Sequence, residues 1–181
     1  MKRRAVFLDR DGVLNAVVVR DGRPYPPQSE KDLLLLPGVP EACQVLRGAG
    51  FLLIMVTNQP DIARGTVSAD IVTSINARLQ RELSLDGVSV CPHDGDECDC
   101  RKPKPGLLLE AANRLGIDLG TSYMIGDRWR DTEAAQNAGC SAIFIDYGYR
   151  EQRPKPPYHR VTSLREAASW IMGQTKEAGD D

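Results

Sequence analysis

Ala5-Val6-Phe7-Leu8-Asp9-Arg10-Asp11-Gly12 is the stretch whose reading decides the fold. Four apolar residues of strand length end at an aspartate, a second aspartate follows two positions on, and a glycine opens the turn. A continuous apolar run suits a strand buried on both faces, as in a parallel sheet. Residues 51–56 repeat the pattern and end at Thr57-Asn58-Gln59. Short strand segments follow at 88–90, 123–125 and 142–145, the second ending at Gly126-Asp127.

Helical periodicity fills the gaps. From Val39, apolar residues at Ala42, Cys43, Leu46 and Ala49 predict a helix closed by Gly50. Ser68 is placed to cap a helix whose inner face is Ile71, Val72, Ile75, Leu79 and Leu83. Pro105 suits the first turn of a helix carrying Leu108, Ala111, Ala112 and Leu115, with Gly116 as its cap. Residues 132–138 predict another, ended by Gly139, and Ser163 and Glu166 have capping-box spacing before a last one. The tail after Gly173 is polar and expected to fray. This alternation predicts an α/β fold, a Rossmann-like parallel sheet with helices on both faces. One domain is expected over residues 1–181, with its core at about 5–148. Ligands of such sheets bind beyond the carboxyl ends of the strands, where Asp9, Thr57 and Asp127 all fall.

The bulk numbers limit the partners. A chain of 181 residues with net charge −2, 41% hydrophobic and 6% aromatic residues carries no basic excess for nucleic acid. No apolar stretch approaches the ~18 residues of a membrane span. The apolar run behind Met1-Lys2-Arg3-Arg4 is too short for a signal-peptide core. A cytoplasmic monomer is expected.

Four stretches carry the chemistry. Asp9 can attack phosphorus, and Asp11 can move a proton to the leaving oxygen and from water. Thr57, with Asn58 and Gln59, offers a hydroxyl and amides for phosphoryl oxygens. Lys102, in Arg101-Lys102-Pro103, offers a cation held stiff by prolines. Asp127, with Asp131 a helical turn later, offers the hard oxygen ligands that magnesium prefers. Each stretch alone has a structural explanation: an Asx turn, an N-cap, a solvated basic run, a first-turn acid. Their joint occurrence at strand ends favours a phosphoryl-transfer site.

Of the 5 cysteines, Cys43 and Cys140 sit in apolar patterns and are expected to pack as small hydrophobes. Cys91, His93, Cys98 and Cys100 crowd one polar loop, a donor set suited to tetrahedral zinc. Four protein ligands leave no open position, so such a zinc is structural.

The order Asp9-Arg10-Asp11-Gly12, Thr57-Asn58-Gln59, Lys102-Pro103 and Gly126-Asp127…Asp131 resembles the haloacid dehalogenase superfamily of aspartyl-phosphate phosphatases. Within it, the chain is similar to the branch of D-glycero-D-manno-heptose 1,7-bisphosphate 7-phosphatases and histidinol-phosphate phosphatases. The resemblance implies Asp9 as nucleophile and Asp11 as general acid/base. It implies Thr57 and Lys102 on the phosphoryl group, and catalytic magnesium on Asp9, the Asp11 carbonyl and Asp127, with Asp131 behind them. The zinc loop, running straight into Arg101-Lys102-Pro103, resembles that of the same branch.

About 47 residues separate Asp9 from Thr57, which leaves no room for a large cap domain. Rim residues are expected in 17–25 and 59–65, with Arg64, Arg101 and Arg128 as cations for a second phosphate or sugar hydroxyls. Gln59 with Ile62-Ala63-Arg64-Gly65 resembles the heptose enzymes, while Pro60-Asp61 departs from the Ser-Gly usual there. The short spacer in the zinc loop resembles the histidinol-phosphate enzymes, which remain the alternative. A zinc-stabilised binding module without turnover is the alternative from another class.

Overall fold

The computed structural model describes residues 2–177. Its centre is a six-stranded parallel sheet in the order β5-β4-β1-β6-β7-β8. The strands are β1 (Ala5–Leu8), β4 (Leu52–Asn58), β5 (Gly87–Cys91), β6 (Tyr123–Gly126), β7 (Ser141–Ile145) and β8 (His159–Val161). Helices α1 (Val39–Gly48), α2 (Ala69–Glu82) and α5 (Leu164–Glu177) pack on one face, α3 (Gly106–Leu115) and α4 (Trp129–Ala138) on the other.

The period-2 geometry of β1 explains why its whole run is apolar. Val6 and Leu8 point into the core beneath α1, α2 and α5, whereas Ala5 and Phe7 point into the core beneath α3 and α4. All four are completely buried, and a buried Leu or Phe contributes about 1.5–3 kcal/mol. Ser68 caps α2 as expected, its hydroxyl accepting from Ile71 N. Gly116 closes α3 at φ 65°. Cys43 and Cys140 are buried, and burial pushes both thiols up to about 12.

Four features differ from the sequence expectation. A hairpin, β2 (Val18–Arg20) and β3 (Arg23–Tyr25), leaves the sheet between β1 and α1. Its two-residue turn is Asp21-Gly22, both at positive φ (51° and 75°), a type I′ hairpin turn. Edge strand β8 pairs its three residues with Ile143–Ile145, too short and polar a segment to stand out. Helix α4 begins at Trp129 rather than residue 132, which puts Asp131 inside its first turn. Helix α5 continues past Gly173 to Glu177; the rest of the tail expected to fray lies outside the described residues. At the start of α5, Ser163 Oγ accepts from Glu166 N, but Glu166 reaches back to Thr162 N and Oγ1.

The topology creates the crevice. From β1 the chain steps outward through β4 to β5, then crosses back to place β6 on the other side of β1. The reversal falls between β1 and β6, and ligands bind at such switch points. Asp9 leaves the end of β1 with its backbone N–H on Ile125 O at 3.0 Å, so Asp9 and Asp127 emerge side by side. Between β1 and α1 the described chain inserts only the hairpin and a short 3-10 turn (Glu30–Asp32), with no large cap.

Candidate active site

Asp9, Asp11, Thr57, Asn58, Gln59, Asp61, Arg64, Arg101, Lys102, Arg128, Arg130 and Asp131 line one cavity of about 210 Å³ at the carboxyl ends of the strands. The rim adds Val17, Pro24, Tyr25 and Pro26 from the hairpin and its approach.

Lys102 is the hub. Only 2% of it is exposed. Its ammonium donates to Asp9 Oδ1 at 2.9 Å and to Val56 O at 2.8 Å, and lies 2.7 Å from Asp131 Oδ1. Its three protons are thus spent on three protein acceptors. Asn58 fixes the Lys102 backbone from both sides, Nδ2 donating to its carbonyl (3.0 Å) and Oδ1 accepting from its N–H (3.1 Å). Asn58, expected on the substrate, lines the cavity and also positions Lys102.

Asp9, Asp127 and Asp131 each bring a carboxylate oxygen within 4.8 Å of the others. Three carboxylates face one ammonium, an excess of two negative charges. Burial raises Asp9 to about 6 against the pull of Lys102, with Asp131 and Asp11 adding to the rise. Burial, then Asp9 and Asp131, hold Asp127 well above the usual carboxylate range. Burial works against the Lys102 charge but is outweighed by Asp131 and Asp9, so its pKa is raised. Both oxygens of Asp127 are buried without a well-formed hydrogen bond, a costly state for a carboxylate, and the nearby Tyr149 hydroxyl only partly offsets the rise in its pKa. Gly12, at φ 85°, makes room for them: a Cβ there would stand 1.9 Å from Asp127 Oδ2. An excess of two charges beside two poorly bonded hard oxygens fits a divalent, oxygen-preferring cation.

Asp11 is held by Gln59, an expected site residue, and by Arg10 and Asn15, whose roles sequence reasoning missed. Arg10, 1% exposed, donates from Nε and NH2 to Asp11 and from NH1 to Asn76 Oδ1 at 3.0 Å. Asn15 Nδ2 (3.0 Å) and Gln59 Nε2 (2.8 Å) complete the grip on Asp11. No periodicity signals a buried arginine, and only a contact to α2 reveals it. Gln59 also donates to Thr57 Oγ1 at 2.9 Å, so it organises two expected site residues.

The cations on the rim are unequally engaged. Arg64 donates to Asp94 and to Asp61, turned toward the cysteine loop. Arg128 is bound to Glu151, from Nε at 2.9 Å and from NH2. Arg101 NH1 donates to His93 O at 2.6 Å. Arg130, absent from the sequence expectation, lies 4.4 Å over the Trp129 ring.

In the cysteine loop, Cys91 Sγ lies 3.6 Å from His93 Nδ1 and 3.7 Å from Cys98 Sγ, and Cys100 Sγ lies 3.3 Å from His93 Nδ1. All four donor atoms fall within 4.8 Å of one another. The loop is joined to the catalytic crevice by Gln59 N donating to Cys91 O (2.7 Å) and by Lys104 Nζ on Cys98 O (2.8 Å).

The HAD-hydrolase-like family model matches residues 99–167. A D-glycero-beta-D-manno-heptose-1,7-bisphosphate 7-phosphatase of Yersinia pestis is 39% identical over 182 residues, covering 93% of this chain and 89% of its own. This chain belongs to the HAD-like hydrolases. The Vibrio cholerae enzyme of the same name is 41% identical over 158 residues, covering 80% of this chain and 82% of its own. Among solved structures, a D,D-heptose 1,7-bisphosphate phosphatase from B. bronchiseptica, complexed with magnesium and phosphate, has TM-score 0.82 at 30% identity. It covers 94% of this chain and 99% of that one. As a HAD-like hydrolase, the chain has relatives named for phosphate-ester cleavage. Among its described residues no helix is long and apolar enough to cross a membrane.

Proposed function

We propose that this HAD-like hydrolase is a magnesium-dependent phosphatase that cleaves D-glycero-D-manno-heptose 1,7-bisphosphate at the 7-position through an aspartyl-phosphate on Asp9. The observation that carries the reading is the buried cluster in which Lys102 ties Asp9 to Asp131 while both Asp127 oxygens lack a well-formed hydrogen bond. Magnesium there, held by Asp9, the Asp11 carbonyl and Asp127, with Asp131 behind, would supply charge neutralisation for the phosphoryl group.

The chain's own groups supply the steps. An Asp9 carboxylate oxygen attacks phosphorus, and the bond from phosphorus to the sugar oxygen breaks. Asp11 gives that oxygen its proton, then takes one from the water that hydrolyses the aspartyl-phosphate. To reach the leaving oxygen Asp11 must loosen its bonds to Arg10, Gln59 and Asn15. Thr57 Oγ1 binds a phosphoryl oxygen, and Lys102 keeps the carboxylates from repelling it. The cavity-lining candidates for substrate contacts outside the reacting centre include Asn58, Gln59, Arg64, Arg101 and Arg128.

The loop of Cys91, His93, Cys98 and Cys100 fits a structural zinc. Tetrahedral zinc with bonds of about 2.3 Å to sulfur and 2.0–2.1 Å to nitrogen has S···S and S···N edges of roughly 3.8 and 3.6 Å. The observed 3.7, 3.6 and 3.3 Å lie near those values. Such a zinc would hold the segment that delivers Arg101 and Lys102.

A phosphate-release assay with magnesium on both anomers of the heptose bisphosphate, histidinol phosphate and a hexose monophosphate tests the substrate. The bisphosphate is expected to have the highest kcat/KM. Histidinol phosphate ahead by tenfold would overturn that choice, and no release from any of them would favour the binding module.

A further inference from the structure

Three arginines stand on one wall of the catalytic cavity: Arg101, Arg128 and Arg130. Arg64, also on the rim, is spent on Asp94 and Asp61. Arg128 has Glu151, and Arg101 has the His93 carbonyl with Asp94 at 4.0 Å. Among the described residues no carboxylate lies within ion-pair distance of Arg130. Its guanidinium is half-buried, steadied on the Trp129 ring, and shares the cavity with two other cations. A planar donor fork that is fixed in place but has no acceptor is prepared for an anion from outside the protein.

We infer that Arg130 is a specificity-determining residue of this site, reading the second anionic group of a bisphosphate substrate. The inference deepens the proposed function and rests on its bisphosphate reading. Three observations support it. Arg130 immediately precedes Asp131, whose carboxylate touches Lys102, so the first turn of α4 holds Arg130 in a fixed relation to the reacting centre. Burial, then the neighbouring Arg128 and Arg101 charges, lower the Arg130 pKa, and a bound phosphate would relieve that repulsion. Arg64 and Arg128 must surrender a paired carboxylate before they can bind a phosphate, whereas Arg130 has, among the described residues, none within 4 Å to give up. Binding energy gained there, away from the reacting phosphorus, favours the bisphosphate over any monophosphate.

The test measures kcat/KM for the heptose 1,7-bisphosphate and for a hexose 6-phosphate, in wild type, Arg130→Lys and Arg130→Met. Met keeps an apolar stem against Trp129 without the charge, so packing and charge are separated. Arg130→Met is expected to lower the bisphosphate-to-monophosphate ratio tenfold or more, chiefly through the bisphosphate KM. Arg130→Lys should keep most of the ratio. A wild-type preference that survives Arg130→Met unchanged overturns the inference while leaving the bisphosphate reading intact. Equal losses on both substrates also overturn it, because they mark a structural role. A wild-type ratio near one overturns the bisphosphate reading and this inference together.

Discussion

Lys102 Nζ lies 2.7 Å from Asp131 Oδ1, with both side chains almost wholly buried. The same ammonium holds Asp9, so one cation is shared by two carboxylates, one at the end of β1 and one in the first turn of α4. Lys102→Met should cost about 3 kcal/mol of stability, because it strands buried charge. Asp131→Asn, added to it, should recover part of that stability in urea unfolding but none of the phosphate release. Equal activity in Lys102→Met and wild type would remove Lys102 from the site.

Asp9→Asn should fold and lose turnover by on the order of 10³ or more, since the covalent step is gone. It should also change how metal-stripped protein responds to pH. Asp9 rises from 3.8 to about 6 in the folded chain, so folding takes up a proton. Its contribution to stability is therefore fully present below pH 3.8 and lost as pH rises through about 6. Without metal, wild type should lose stability relative to Asp9→Asn over that window. A constant difference between the two unfolding curves would contradict the raised pKa.

Gly12→Ala tests the Asp127 pocket. The new methyl would meet Asp127 Oδ2 at 1.9 Å and sit at φ 85°, a backbone region an L-residue enters at about 1–2 kcal/mol. The magnesium concentration for half-maximal activity should rise at least tenfold, more than any loss at saturating magnesium. Unchanged half-saturation would mean Asp127 does not need that space.

Thiol titration separates the two kinds of cysteine. Cys43 and Cys140, pushed up to about 12 by burial, should stay unreactive at pH 8 until the chain unfolds. Cys91, Cys98 and Cys100 should be protected until a strong chelator removes zinc, then react together as stability falls. Elemental analysis should find one zinc per chain beforehand. Full reactivity of the loop without chelator would refute the zinc site.

Local pattern carried most of the fold. The buried strands, the Ser68 cap on α2 and the Gly116 end of α3 follow from periodicity and capping, which act over a few residues. The hairpin was also legible, in the dipeptide Asp21-Gly22, but its flanks alternate too weakly to draw attention. β8 was not legible, because three residues gain strand character only by lying against β7.

The sequence by itself determined which chemistry could gather at the strand ends, because a carboxylate, hydroxyl or lysine following a buried strand is set by the chain's local order. It also determined the cysteine–histidine set, whose members lie within ten positions. Only the tertiary structure decided how the charges are paired. Arg64 goes to Asp94, Arg128 to Glu151 and Arg10 to Asp11 and Asn76, which leaves Arg130 without an ion pair among the described residues. Ion pairing depends on which side chains the packing of separate elements brings within about 4 Å. No spacing along the chain encodes that choice.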